Sequence, residues 1–222
     1  MSLAEPSQLI TVLLHKLTPM RTFASLFVLL LGLAAAAPGF ATTVIAPEFP
    51  ELVNGSDYIV RAKIKRLTYE AKPRAGKELI FTNIEVEVLE VIAGTPPSPL
   101  VLTMLGGQLG DLELSVDGAP KFAVGDEDIL FVSGNGRNFH PLHAVMHGRY
   151  PVRHDKKTGR EYMTRNNGVT LADVAEVALP LVEGQTAALQ QRLRRVEDAL
   201  TPDEFTRQIR ATRATKGVPR AK

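Results

Sequence analysis

From Tyr58 to Leu67 the chain reads Tyr-Ile-Val-Arg-Ala-Lys-Ile-Lys-Arg-Leu, so that Val60, Ala62 and Ile64 alternate with Arg61, Lys63 and Lys65. A period of two describes a strand with one buried and one solvated face. Thr82 to Val88 repeats the pattern with the opposite charge, Ile84, Val86 and Val88 pointing inward and Glu85 and Glu87 outward. Antiparallel pairing of the two would set bases opposite acids, each pair contributing roughly 0.2–1 kcal/mol. A solvated sheet face explains these charges without any further function.

Further short strands follow at close spacing. After the loop Ala93-Gly94-Thr95-Pro96-Pro97 come Leu100–Leu105, closed by Gly106-Gly107, and Leu112–Val116, ended by Asp117-Gly118. Asp128–Ser133 is rich in β-formers and is expected to be central. Tyr150–His154 and Arg160–Arg165 flank Asp155-Lys-Lys-Thr-Gly159, a hairpin with glycine at the positive-φ position. Many short strands indicate a mainly β fold, a barrel or a sandwich.

The period changes after Asn166-Asn-Gly168. Thr170–Asp173 can open a helix, and Leu189, Leu193, Val196 and Leu200 form one apolar stripe over Thr186–Leu200. Thr201-Pro-Asp-Glu204 is a second helix start, with Thr as N-cap and Glu three residues on, and Phe205 and Ile209 continue the apolar face. This tail is basic, with Arg192, Arg194, Arg195, Arg207, Arg210, Arg213, Lys216, Arg220 and Lys222 outnumbering four acids. The stripe is expected to pack on the barrel or on a partner; a membrane-surface contact is the alternative.

Ahead of the strands, Phe23–Ala37 is an apolar run of about 15 residues, shorter than the roughly 20 of a spanning helix. Arg21 precedes it, and Pro38-Gly39-Phe40-Ala41 follows, with small residues at 39 and 41 where signal peptidase needs them. Residues 1–41 therefore read as a signal peptide cut between Ala41 and Thr42. Met20 gives a compact signal, so residues 1–19 read as an over-long start; an uncleaved anchor is the alternative. The expected layout is a signal peptide over 1–41, a β-barrel domain over 42–167 and a helical, basic tail over 168–222, with the mature protein extracytoplasmic. The chain has no Cys, so neither disulfides nor thiol redox chemistry are open to it. The formal charge of +2 on 222 residues argues against a nucleic-acid partner.

Candidate chemistry is sparse. His140, His143 and His147 are spaced so that, on a helix, 143 and 147 would share a face and could bind zinc. Pro141, Gly148 and strand-like flanks point instead to a strand, where 143 and 147 lie about 13 Å apart. Ordinary structural or surface histidines are expected, with no metal; a metal-dependent enzyme using these three is the alternative. Asp111, Glu113, Asp126, Glu127 and Asp128 offer carboxylates, but no spacing marks an acid–base pair. HExxH, GxSxG and phosphate-loop motifs are all missing, so no cofactor and no catalytic residue is expected.

Thr42-Thr-Val-Ile-Ala-Pro47, followed by Asn54-Gly-Ser-Asp-Tyr-Ile-Val-Arg-Ala-Lys63, resembles the start of the tissue inhibitors of metalloproteinases. Those begin Cys-Thr-Cys-Val-Pro and continue to Asn-Ser-Asp, a few apolar residues and Arg-Ala-Lys. Phe122-Ala-Val-Gly125 before Asp128-Ile-Leu-Phe131 is similar to the netrin-like signature F..G..YLVF. The resemblance covers roughly 42–133, and the mature chain as a whole is similar to secreted bacterial proteins. It implies an OB-like, five-stranded netrin-type β-barrel. It also implies a partner-binding N-terminus, Thr42, Thr43, Val44, Ile45, Ala46 and Pro47, in which the amine and carbonyl of Thr42 stand where the inhibitors chelate the protease zinc and Thr43 stands at the specificity pocket. Val44 replaces the family's second Cys. The expected function is a secreted or periplasmic non-enzymatic binding module, with a secreted metalloprotease or another protein as partner; a metalloprotease-inhibitor-like role is the alternative.

Overall fold

The computed structural model describes residues 45–74, 76–181 and 184–215, without the side chains of Gln185, Arg192 and Leu193. The expected signal peptide and Thr42, Thr43 and Val44 lie outside them. In chain order the elements are helix α1 (Phe49–Gly55) and strands β1 (Tyr58–Arg74), β2 (Lys77–Ala93), β3 (Leu100–Leu105), β4 (Gly107–Leu109), β5 (Leu112–Leu114), β6 (Glu127–Val132), β7 (Arg149–His154) and β8 (Glu161–Met163). Helices α2 (Gly184–Leu193) and α3 (Pro202–Thr215) complete them.

The fold is mainly β. Six strands form one antiparallel sheet in the order β3-β2-β1-β6-β7-β8, and β4 and β5 form a separate hairpin. The two alternating segments are β1 and β2, and their charges meet as the pattern requires: Lys63 lies opposite Glu87 and Arg66 opposite Glu85, with ion pairs Lys65–Glu87 at 3.0 Å and Arg66–Glu85 at 2.6 Å. Both strands run to 17 residues, well past the expected segments. The extra length of β1 is exposed on most of its side chains and is held by cross-strand pairing, whereas that of β2 also buries Ile80, Phe81 and Ile92.

The ladder does not close into a barrel among the described residues. Loop 134–143 meets the outer edge of β3 in place of a strand. Leu105 donates its amide to Phe139 O at 2.8 Å and Thr103 to Asn135 Oδ1 at 3.1 Å. The other end of the loop is tied to β6, Ser133 N donating to Pro141 O and His143 N to Phe131 O, each at 2.9 Å.

The sheet buries both faces. On one, Val60, Ala62 and Ile64 pack with Ile84, Leu102 and Leu130, the face read from the alternation. On the other, Ile59, Ile129 and Phe131 pack under α1 and α3. Phe205 of α3 lies 5.8 Å from Phe49 of α1, 6.0 Å from Phe131 and 5.1 Å from Tyr150, ring centre to ring centre. The outer face of β1 is therefore solvated only beyond Ile59, where Arg61 and Lys63 begin.

The tail departs from the expected helix over Thr186–Leu200. Helix α2 stops at Leu193, Val196–Asp198 is a single 3-10 turn, and Leu189 is 57% exposed. The reason lies in the backbone: Leu200 donates to Leu171 O and accepts from Met163 N, both at 2.8 Å, which requires extended chain beside β8 rather than another helical turn. Arg194, bonded to Thr170 O at 3.1 Å and Glu176 at 2.5 Å, holds the bend. Asp173 caps only a 3-10 turn, Val174–Ala178. The start of α3 is as read: Glu204 N donates to Thr201 Oγ1 at 3.3 Å, and Thr201 N to Glu204 Oε2 at 2.8 Å.

Candidate binding groove

The end of β3 sets the groove. Gly106 and Gly107, at φ 106° and 137°, turn the chain straight into β4. A Cβ on Gly107 would fall 2.6 Å from Thr82 Oγ1 and 2.7 Å from the Tyr69 ring, so only glycine lets the hairpin lie this close to the β1–β2 arm. The chain turns at Gly110, returns through β5 and runs as loop 115–126 back to β6. Between arm, hairpin and loop lies a cavity of about 230 Å³. Leu67, Tyr69, Met104, Leu114, Val116 and Phe122 supply its apolar lining, and Gln108, Glu113, Ser115 and Lys121 its polar one. A second hollow lies under the loop Thr95–Pro99 against Val86, Val88 and Val91, and contains no ionisable side chain.

Arg149 of β7 fixes the loop wall. Its guanidinium lies 4.5 Å from the Phe122 ring centre and donates to Lys121 O, to Asp126 Oδ2 at 2.7 Å and to Asp128 Oδ1 at 3.0 Å. Asp126 Oδ2 also accepts from Ala123 N at 3.1 Å. Burial pushes the Asp128 carboxyl above its ordinary value, and the Arg149 charge acts against that rise. Of the five carboxylates noted in the sequence, Asp126 and Asp128 are thus occupied by Arg149, and Glu127 binds Arg61 at 2.5 Å. Asp111 and Glu113 sit exposed on the hairpin. Sequence reading noted the acids but missed their common partner, because Arg149 is 21 residues from Asp128 and only the β6–β7 pairing joins them.

The N-terminal residues read as partner-binding are described only from Ile45. Ile45 is 85% exposed, Ala46 is half-buried and Pro47 is buried. Immediately after them α1 sinks Phe49, Leu52 and Val53 into the core, and Arg213 of α3 donates to Val53 O at 2.7 Å and Ser56 O at 3.2 Å.

The three histidines share loop 134–148 without forming a centre. His147 is buried, while His143 is half-buried with its ring against Gly55, where a Cβ would fall 2.5 Å from Cε1. Burial lowers the pKa of His140. Among the described residues no three His, Cys, Asp or Glu side chains are placed to share a metal ion. No family model matches the chain, and no curated protein matches it.

Proposed function

We propose that this chain is an exported, non-enzymatic binding module, an OB-like barrel of netrin type whose partner is a protein met outside the cytoplasm. The groove beside the β4–β5 hairpin carries this reading: it is open, half apolar, and held in shape by a buried arginine rather than by the ligand. Three hairpin-linked strands with the next long strand laid beside the first make a Greek-key order. The OB type is a partly open barrel of that kind. Loop 134–143, hydrogen-bonded to both β3 and β6, is compatible with that reading.

The test is site-specific photocrosslinking of the exported chain in its own extracytoplasmic fraction. A reactive group at Val124, exposed on the groove's loop, should give a discrete protein adduct. The same group at Glu197, exposed on the tail, should give none. Equal adduct patterns, or none from either position, would remove the groove as a partner site.

A second reading, inhibition of a metalloprotease through the mature N-terminus, is favoured by one observation. Helix α1, starting at Phe49, and Arg213, bonded to Val53 O, anchor the chain a few residues after exposed Ile45, where the inhibitors rely on disulfides. A free α-amine has a pKa near 7.7–8.0, so its neutral, metal-ligating form is accessible at physiological pH. Protein beginning at Thr42 should inhibit a zinc endopeptidase, and protein carrying one extra N-terminal Ala should not. Equal behaviour of the two forms excludes this mechanism.

A further inference from the structure

Strand β1 is paired on both edges only along its first part. Strand β6 covers it from Tyr58 to Lys63, and Ile64 then exchanges bonds with Asp126 O and Gly125 N at 2.8 and 2.9 Å. From Arg66 to Arg74, β2 is its sole strand partner among the described residues.

The direction of the unpaired groups follows from the neighbouring strands. In an antiparallel ladder a residue's N–H and C=O point to the same side, and successive residues alternate. Ile80, opposite Ala71, turns its carbonyl away from β1 to accept from Gly106 N at 2.8 Å. Thr103 and Leu105 of β3 send their amides away from β2, so Leu102 and Met104 bond to Ile84 and Thr82, which stand opposite Leu67 and Tyr69. Leu67, Tyr69 and Ala71 therefore present their amides and carbonyls to the open edge. Leu67 and Tyr69 also line the groove.

We infer that this edge is a strand-addition site: an extended peptide segment of a protein partner pairs with Leu67–Ala71 and lays an apolar side chain into the groove. The inference rests on the binding-module reading and names the chemistry of its partner. Backbone hydrogen bonds supply affinity in such complexes, and alternate side chains supply specificity. Leu67, Met104 and Phe122 form the apolar receptacle. Lys121 and Glu113 line it too, and among the described residues neither forms an ion pair, so the fitting segment carries one acid and one base two residues either side of its apolar residue, on the same face of the strand. An open edge invites self-association, and sequences blunt it with Pro and charge. Here Lys72, Pro73 and Arg74 guard the tip of the arm, while Leu67–Ala71 contains no proline.

The probe is a panel of end-blocked heptapeptides with a central apolar residue and with Glu and Lys two residues either side of it, on the same strand face, titrated against the full exported chain by fluorescence anisotropy. In the free protein, amide exchange should be fast at Leu67, Tyr69 and Ala71 and slow at Thr68 and Glu70. Saturating peptide should slow the first three at least tenfold. N-methylation of alternate peptide amides should weaken binding tenfold or more, and Ala71→Pro in the protein, which removes one outward donor, should do the same. The N-methyl arm uses unaltered protein and so does not depend on the variant folding. Protection of the three amides before peptide is added, or no binding by any peptide in the panel, overturns the inference. Binding that ignores N-methylation overturns strand addition while leaving the groove as a binding site, and absence of the Val124 crosslink tells against the binding module separately.

Discussion

Arg149 of β7 and Asp128 of β6 form an ion pair at 3.0 Å with both side chains almost wholly out of solvent, and the second carboxylate oxygen of Asp128 has no hydrogen-bond partner. The same guanidinium binds Asp126 and the Lys121 carbonyl, so one side chain joins two strands to the wall of the groove. Removing it strands a buried charge; removing the pair together does not.

Arg149→Met should therefore destabilise the fold by about 3–5 kcal/mol, whereas Arg149→Met with Asp128→Leu should recover most of that loss. Urea unfolding of the two single variants and the double variant measures it. Additive effects would show that the two side chains act independently.

Acid should loosen the attachment of α3. The Thr201 amide and hydroxyl hold the Glu204 carboxyl below its ordinary value. A depressed folded pKa means that the stabilisation is present above the unfolded value, about 4.3, and is lost as pH falls through the folded one. Asp128 has the opposite sign: its folded pKa is raised, so its contribution favours the fold at low pH and fades as pH rises toward the folded value. Glu204→Gln should thus lower stability at neutral pH and flatten its fall on the acid side. Thr201→Ala, which removes the N-cap, should cost about 1 kcal/mol. Thermal unfolding from pH 3 to 7 reads both.

Two glycines with similar backbone angles should respond differently to alanine. Gly94 and Gly110 have φ of 74° and 61°, so each substitution meets the left-handed penalty of about 1–2 kcal/mol. A Cβ on Gly94 would also fall 2.3 Å from Asp57 O, a backbone atom that cannot swing aside, while one on Gly110 meets nothing. Gly94→Ala should be the more damaging, by at least 1 kcal/mol. Equal losses in denaturant titration would show that the loop relaxes around the added methyl.

The alternation of Tyr58–Leu67 and Thr82–Val88 was enough to read a charge-paired hairpin, because each buried face repeats with a period of two. The glycine-closed strand Leu100–Leu105, the central position of β6 and the cap of α3 were legible for the same kind of local reason. The outer half of β1 was not, since an exposed paired strand needs no apolar pattern, and β2 was read short of buried Ile80 and Phe81. Nor was hairpin β4–β5 foreseen as a pair: Gly107–Leu109 is too short and too glycine-rich to register as a strand. The groove depends on Arg149 meeting Asp126 and Asp128, and on Tyr69 and Thr82 meeting Gly107, contacts between distant parts of the chain. The sequence marks each of these residues without marking its neighbour.

The tail offers the clearest separation between a sequence stripe and a structural one. Of the stripe read from the sequence, Leu189 is 57% exposed and Leu200 packs only partly on the core, whereas Phe205 and Ile209, read as continuing that face, are fully buried between α1 and the sheet. Phe205 touches aromatic rings from α1, β6 and β7, so its loss opens a cavity that three elements cannot refill together. Phe205→Ala should cost about 3–5 kcal/mol. Leu189→Ala should stay within about 0.5 kcal/mol. A stop after Leu200 should remove Phe205, Ile209 and the two carbonyl bonds of Arg213 at once, exposing Phe131 and Tyr150 and freeing the segment before β1. The truncated chain should bind a hydrophobic dye and exchange its β6 amides rapidly. Should it instead retain the full-length denaturation midpoint, α3 would be a partner element laid on a self-sufficient sheet, and the N-terminal anchoring that supports the inhibitor reading would lose its structural basis.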